Sequence, residues 1–180
     1  MTPRIYLAGP AVFRPDAIAY GQWLKDQCIA AGFEGLYPLD NAVPEDIVDP
    51  AEQGAWVYRA NLRLIEQCDL VLADLNFFRG AEPDSGTCFE VGYAVAQGKP
   101  VYAHVQETGN YAERIAHRFP DLLSGNGKDR DGMVIEEFEL PLNLMLAVPT
   151  RLIQGSVADA LALIADEYRA MNAGDTDDHA

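Results

Sequence analysis

Short apolar runs alternate along the chain with longer segments whose apolar residues recur at helical spacing. Arg4 to Ala8 (RIYLA) is rich in β-formers and ends at Gly9 and Pro10, the form of a parallel strand that delivers its carboxyl end to a loop. Phe13 to Ala31 carries Ile18, Leu24, Cys28 and Ile29 at helix-compatible spacing, with Gly32 as a stop. Phe33 to Pro38 reads as a second strand, and Leu39, Asp40 and Asn41 begin a loop rich in proline and acid. Pro50, Ala51 and Glu52 open a long helix to about Cys68, with Trp56, Ala60, Leu64 and Ile65 on its inner face. Asn61 falls on the same stripe, as either a satisfied core amide or a ligand contact. Asp69 to Leu75 is a near-continuous apolar run of the kind found in a central parallel strand, with Asp74 near its carboxyl end.

Further on, Cys88 to Ala96 predicts a short helix stopped at Gly98, and Val101 to Val105 a fourth strand. The segment 106–131 turns polar and broken and reads as a surface excursion without regular structure. Pro141 to Leu146 predicts a short helix, and Arg151 to Ile153 a last edge strand. Ser156 with Asp159 then caps a helix carrying Leu161, Ile164, Ala165, Tyr168 and Met171. Residues 172–180 (NAGDTDDHA) read as a disordered acidic tail after a single domain of residues 1–171. This alternation predicts a three-layer α/β fold, flavodoxin-like in strand order, with a mostly parallel sheet of about five strands. Its ligand edge would gather Tyr6, Gly9, Phe13, Asp40, Asp74, Asp84 and Glu90.

The most informative stretch is Pro83 to Pro100, PDSGTCFEVGYAVAQGKP. Asp84, Ser85 and Gly86 read as a turn, Thr87 as an N-cap, and the helix that follows lacks a polar face, so it should be packed on most sides. Glu90 is its only charge. Thr87 and Glu90 have capping-box spacing, which would turn the carboxylate back onto the helix start. A carboxylate flanked by Phe89, Val91 and Tyr93 just after a Gly-containing loop is equally the setting of a partly desolvated nucleophile or acid.

Composition narrows the chemistry. The 180 residues hold 13 Lys plus Arg against 28 Asp plus Glu, a net charge of −15, which disfavours nucleic acid and anionic membrane surfaces as partners and leaves small molecules. No phosphate loop of the P-loop or dinucleotide type occurs, so a nucleoside triphosphate is not indicated. Cys28, Cys68 and Cys88 are odd in number and fit buried thiols, and His104, His117 and His179 show no metal-ligand spacing, so no metal is expected. No secretion signal or membrane span is legible, and a cytoplasmic location is expected.

The segments IYLAGPAVF, YPLDN, CDLVLADLNFFRG, EPDSGTCFEVGYAVAQGKPV and LPLNLML, in this order and spacing from Ile5 to Met145, resemble the nucleoside 2-deoxyribosyltransferase family. The most specific part is the Asp-x-Gly-x-x-x-Glu-x-Gly-Tyr-Ala core of Asp84, Gly86, Glu90, Gly92, Tyr93 and Ala94. The resemblance implies exchange of the base on a 2′-deoxyribonucleoside without a cofactor, with deoxyribonucleosides and free nucleobases as partners. By position Glu90 would be the nucleophile at C1′, Tyr6 its orienting hydroxyl, Asp84 a group at the sugar, and Asp69 one at the base. Gly9, Phe13, Asp40, Asn41, Asn61, Asp74 and Gly86 complete the expected substrate-binding set. Sheet geometry favours Asp74 over Asp69 for the base, since Asp69 begins its strand. The resemblance also implies a homo-oligomer, built from dimers and commonly a hexamer, in which Asn143 and Met145 complete a neighbour's site. Two departures bear on base preference: Ala42 stands where lactobacillal members have a polar residue, and a long insert separates Val105 from Leu140. Rival readings are a hydrolase of 2′-deoxynucleoside 5′-monophosphates, which needs a phosphate pocket, and a non-catalytic nucleotide-sensing domain.

Overall fold

The computed structural model describes residues 2–107 and 109–174. Five strands, β1 (Arg4–Ala8), β2 (Glu34–Leu36), β3 (Leu70–Asp74), β4 (Val101–Val105) and β7 (Arg151–Gln154), form one sheet in the order β2-β1-β3-β4-β7. Every adjacent pair is parallel, so the strands of this sheet run 2-1-3-4-5, the flavodoxin-like order. Between them lie α1 (Ala17–Ala31), α2 (Pro50–Gln67), α3 (Ser85–Ala96), α4 (Tyr111–Arg118) and α5 (Leu144–Ala147), and α6 (Val157–Gly174) ends the described chain.

Side chains alternate across the pleat, and this divides the core. Ile5, Leu7, Leu70, Leu72 and Tyr102 pack with Leu24 and Cys28 of α1 and Ala160, Leu161 and Ile164 of α6. Tyr6, Ala8, Val71, Ala73, Ala103 and Val105 pack on the opposite face with Leu64 and Ile65 of α2 and Val91 and Ala94 of α3. Tyr6 is thus fully buried on the α2/α3 side. Gly21 is required where it stands, because the Tyr37 ring lies 2.4 Å from where a Cβ would be.

Several expected boundaries move. Residues 10–13 form a 3-10 turn, and α1 begins at Ala17 because Arg14, preceding Pro15, is extended (ψ 149). Its inner face is Ala17, Gly21, Leu24 and Cys28, while Ile18 and Ile29 are exposed. The segment expected to lack regular structure contains α4, opened by an Asn110/Glu113 capping box, and an antiparallel hairpin of β5 (Leu123–Gly125) and β6 (Lys128–Asp129). Asn126 and Gly127 at its tip both have positive φ, as an Asn-Gly hairpin turn requires. Arg114 anchors this insert: it is buried, donates to the Pro141 carbonyl and lies 4.3 Å over the Phe77 ring. The short helix begins at Leu144 rather than Pro141, and α6 takes in residues 172–174 of the expected tail. The remainder of that tail and the side chain of Met171 lie outside the described residues. Among the described residues no helix is long and apolar enough to cross a membrane.

Candidate active site

The carboxyl end of β1 and the amino-terminal half of α3 meet at a cleft of about 340 Å³. Gly9, Val12 and Phe13 form one wall, Pro38 and Leu39 a second, and Val57 and Asn61 of α2 a third, with Asp84, Gly86, Thr87 and Glu90 as the floor. Its size and its largely apolar walls around a few polar groups suit a small-molecule site.

The orientation of α3 is set by Asp84, not Thr87. Asp84 is extended (φ −60, ψ 130), and its Oδ2 accepts from the Thr87 amide at 2.9 Å and the Thr87 hydroxyl at 3.0 Å. The helix therefore starts at Ser85, and the expected Thr87 cap with its Glu90 capping box does not form. Glu90, two turns in, turns instead toward β1. Its Oε1 accepts from the Tyr6 hydroxyl at 2.6 Å and lies 3.5 Å from Asn61 Nδ2. Asn61 Oδ1 is buried without a partner.

Burial is the main reason the Glu90 carboxyl is pushed up from 4.5 to about 7; the nearby Asp84 charge adds to this, and the Tyr6 and Asn61 hydrogen bonds pull the other way. Tyr6 is raised far above its ordinary value by burial and by Glu90, so it stays protonated and remains a donor. Replacing Tyr6 by Phe should move the Glu90 titration midpoint, followed by carboxyl-carbon NMR, above 7. Asp84→Asn, which keeps a capping side chain, should move it below 7. Equal shifts of one sign would contradict this account of the site.

Phe13 at the rim stacks on Phe78 (centroids 5.5 Å, 17°), and the Arg79 guanidinium lies 4.9 Å and 4.5 Å from the two ring centroids. The cleft thus gathers Gly9, Phe13, Asn61, Asp84, Gly86 and Glu90 of the expected set, with Tyr6 buried behind Glu90 and bonded to it. It does not gather the others. Asp69 sits at the amino-terminal edge of the sheet, where its Oδ2 accepts from the Arg4 amide at 2.7 Å. Asp74 lies at the correct edge but on the α1/α6 face, because it continues the Leu70, Leu72 alternation. Asp40 is paired with Lys25 at 2.5 Å and accepts from the Tyr37 amide, and Asn41 after it is exposed. Asn143 caps α5, accepting from the Met145 amide at 3.0 Å and donating to Glu136 at 3.1 Å, away from Glu90. Met145 is exposed. The walls Val12, Pro38, Leu39 and Val57 were not among the expected residues. Val57 was within reach of the helical pattern, since it lies one turn before Asn61.

A family model for nucleoside 2-deoxyribosyltransferases matches residues 5–145, a span that holds Tyr6, Asn61, Asp84 and Glu90. The chain belongs to the nucleoside 2-deoxyribosyltransferase family. A solved structure from this group, a 2-desoxiribosyltransferase from Leishmania mexicana, is similar with 32% identity and a TM-score of 0.71, covering 91% of this chain and 97% of that one. An uncharacterised Schizosaccharomyces pombe protein is 32% identical over 170 residues, 87% of this chain and 81% of its own length. A candidate 2′-deoxynucleoside 5′-phosphate N-hydrolase from Thermofilum pendens is 31% identical over 103 residues, which is 56% of this chain and 66% of that protein. Relatives of this chain are therefore named for transfer and for hydrolysis, and the site itself must separate the two.

Proposed function

We propose that this nucleoside 2-deoxyribosyltransferase family member moves the 2-deoxyribosyl group of a 2′-deoxyribonucleoside from one nucleobase to another, through a covalent deoxyribosyl–Glu90 ester and with net retention. The observation that carries the reading is the Glu90 carboxylate, held by Tyr6 at 2.6 Å on the floor of an apolar-walled cleft instead of capping its own helix. Oε1 takes both protein contacts, which leaves Oε2 as the attacking atom. Oε2 forms a bond to C1′ as the N-glycosidic bond breaks and its electron pair leaves with the base. A nitrogen of the second base then attacks C1′ from the opposite face and loses its N–H proton, which balances the proton that the departed base takes up, and the ester bond breaks to restore the carboxylate. Two inversions give retention. The absence of an electron-withdrawing 2′-hydroxyl makes the oxocarbenium-like transition state easier to reach in a deoxyribose. The unpartnered Asn61 Oδ1 offers an acceptor to a sugar hydroxyl, and Phe13 offers a stacking face to the base.

Hydrolysis of 5′-monophosphates is the second reading, favoured by the Thermofilum pendens relative. None of the described cleft-lining residues is Lys or Arg, the Arg79 guanidinium at the rim is held over the Phe13 and Phe78 rings, and Asp84 on the floor would repel a phosphate, so the cleft suits an uncharged nucleoside better. A homo-oligomer belongs to the same proposal. The outer face of α3, expected to be packed, leaves Phe89 half exposed between Tyr58 (5.9 Å) and Tyr93 (6.2 Å), and Met133, Val134, Phe138, Met145 and Val148 are exposed elsewhere. In this proposal neighbouring copies cover such faces and bring Asn143 and Met145 to each other's clefts.

The deciding experiment incubates the protein with deoxyinosine and free adenine or cytosine and follows products by chromatography. New deoxyadenosine or deoxycytidine is expected. Free deoxyribose alone would sink the transfer claim, and cleavage of deoxyinosine monophosphate with no reaction of the nucleoside would favour the hydrolase.

A further inference from the structure

Behind Gly9, on the face of the sheet away from Glu90, lies a small, partly open chamber. Tyr20, Tyr37, Asp74 and His104 supply its polar lining, within an otherwise apolar surround that includes Leu24 and Val157. Asp74 and His104 are Cα partners across β3 and β4, which brings their side chains together on one face. Two atoms of this lining, the Tyr37 hydroxyl and His104 Nδ1, are buried without a hydrogen-bond partner among the described residues. Tyr37 is 3% exposed and His104 7%, so bulk water does not satisfy them. Asp74 Oδ1 is occupied by the Asn76 amide at 3.0 Å and the Asn76 side chain at 2.6 Å, which leaves Oδ2 for the chamber. Two orphaned polar atoms beside a half-satisfied carboxylate are a costly arrangement unless something fills the space between them. The free space is about 20 Å³. By this measure a water needs roughly 10–15 Å³ and two to four polar partners.

We propose that the chamber is a binding site for one ordered water molecule, which accepts from the Tyr37 hydroxyl and donates to His104 Nδ1 and Asp74 Oδ2. Water suits this set because it donates and accepts at once. Burial pushes the Tyr37 hydroxyl up to about 12, so it remains a donor. The water ties β3 and β4 to the chain just after β2. Its effect reaches the cleft through Asp74, whose Cβ would lie 3.0 Å from a Cβ at Gly9, so that Asp74 backs the cleft wall directly. The site is independent of which reaction the cleft performs.

A high-resolution crystal structure of the unmodified protein should show one isolated density peak within hydrogen-bonding distance of Tyr37 Oη and His104 Nδ1. A chamber that is empty or closed by protein atoms would overturn the proposal. Tyr37→Phe tests it separately through the sign of the change in Tm. With the water in place, loss of its donor should lower Tm by about 2–4 °C. If the chamber is dry, the variant sheds an orphaned hydroxyl and should melt at or above the wild-type temperature, which would also overturn it.

Discussion

Replacing Glu90 by Ala is expected to lower base exchange at least about a thousandfold, the scale on which loss of a covalent nucleophile is felt. Among the described residues Glu90 caps no helix and pairs with no cation, so the loss would not come from an unravelled α3, whose start is held by Asp84. A thermal melt of the variant separates the two causes. Tyr6→Phe should lose much less, roughly tenfold to a hundredfold, as befits the removal of one hydrogen bond to a charged group worth about 1.5–3 kcal/mol. The Ala variant should also form no adduct with a 2-fluoro-2-deoxy nucleoside, whereas the wild-type protein should carry the label on the peptide containing Glu90. Activity within tenfold of wild type, or a label on another residue, would remove Glu90 from the mechanism.

The contrast between Asp84, Asp74 and Asp69 shows what was legible from sequence. Strand and helix alternation and the parallel sheet could be read from apolar period, and the pairing of Tyr6 with Glu90 from the family resemblance. The face on which Asp74 lies was also available, since counting by twos from Leu70 and Leu72 puts it under α1. The start of α3 was not decidable locally. Asp84 with Thr87 and Thr87 with Glu90 are both well spaced for capping, and the choice is made by a hydroxyl 84 residues away on β1. Sequence-distant packing likewise hides the wall formed by Pro38 and Leu39, whereas Val57 lies one helical turn before Asn61. By contrast, α4 and its hairpin had local signals, Asn110 with Glu113 and Asn126-Gly127, that a polar composition obscured.

Glu90→Gln should make the protein more stable at pH 8 while abolishing transfer. In the folded chain the Glu90 carboxyl is raised from 4.5 to about 7, so between these values the folded state holds a proton that the unfolded state has lost. Stability is therefore full below about pH 4.5, falls as pH rises, and above about 7 is lower by about 3 kcal/mol as an order-of-magnitude bound, at roughly 1.4 kcal/mol per pKa unit. A glutamine stays neutral throughout, and its carbonyl can still accept from Tyr6. The variant should match wild type near pH 4 and exceed it at pH 8 by as much as about 3 kcal/mol, a Tm gain on the order of 6–10 °C. Thermal melts across this range check both limits, and curves that run parallel at every pH would mean that the carboxylate is not desolvated. The expected divergence follows from the burial of the proposed nucleophile: above pH 7 the folded chain holds on the cleft floor a charge that no cation among the described residues pairs, and removing it would trade activity for stability.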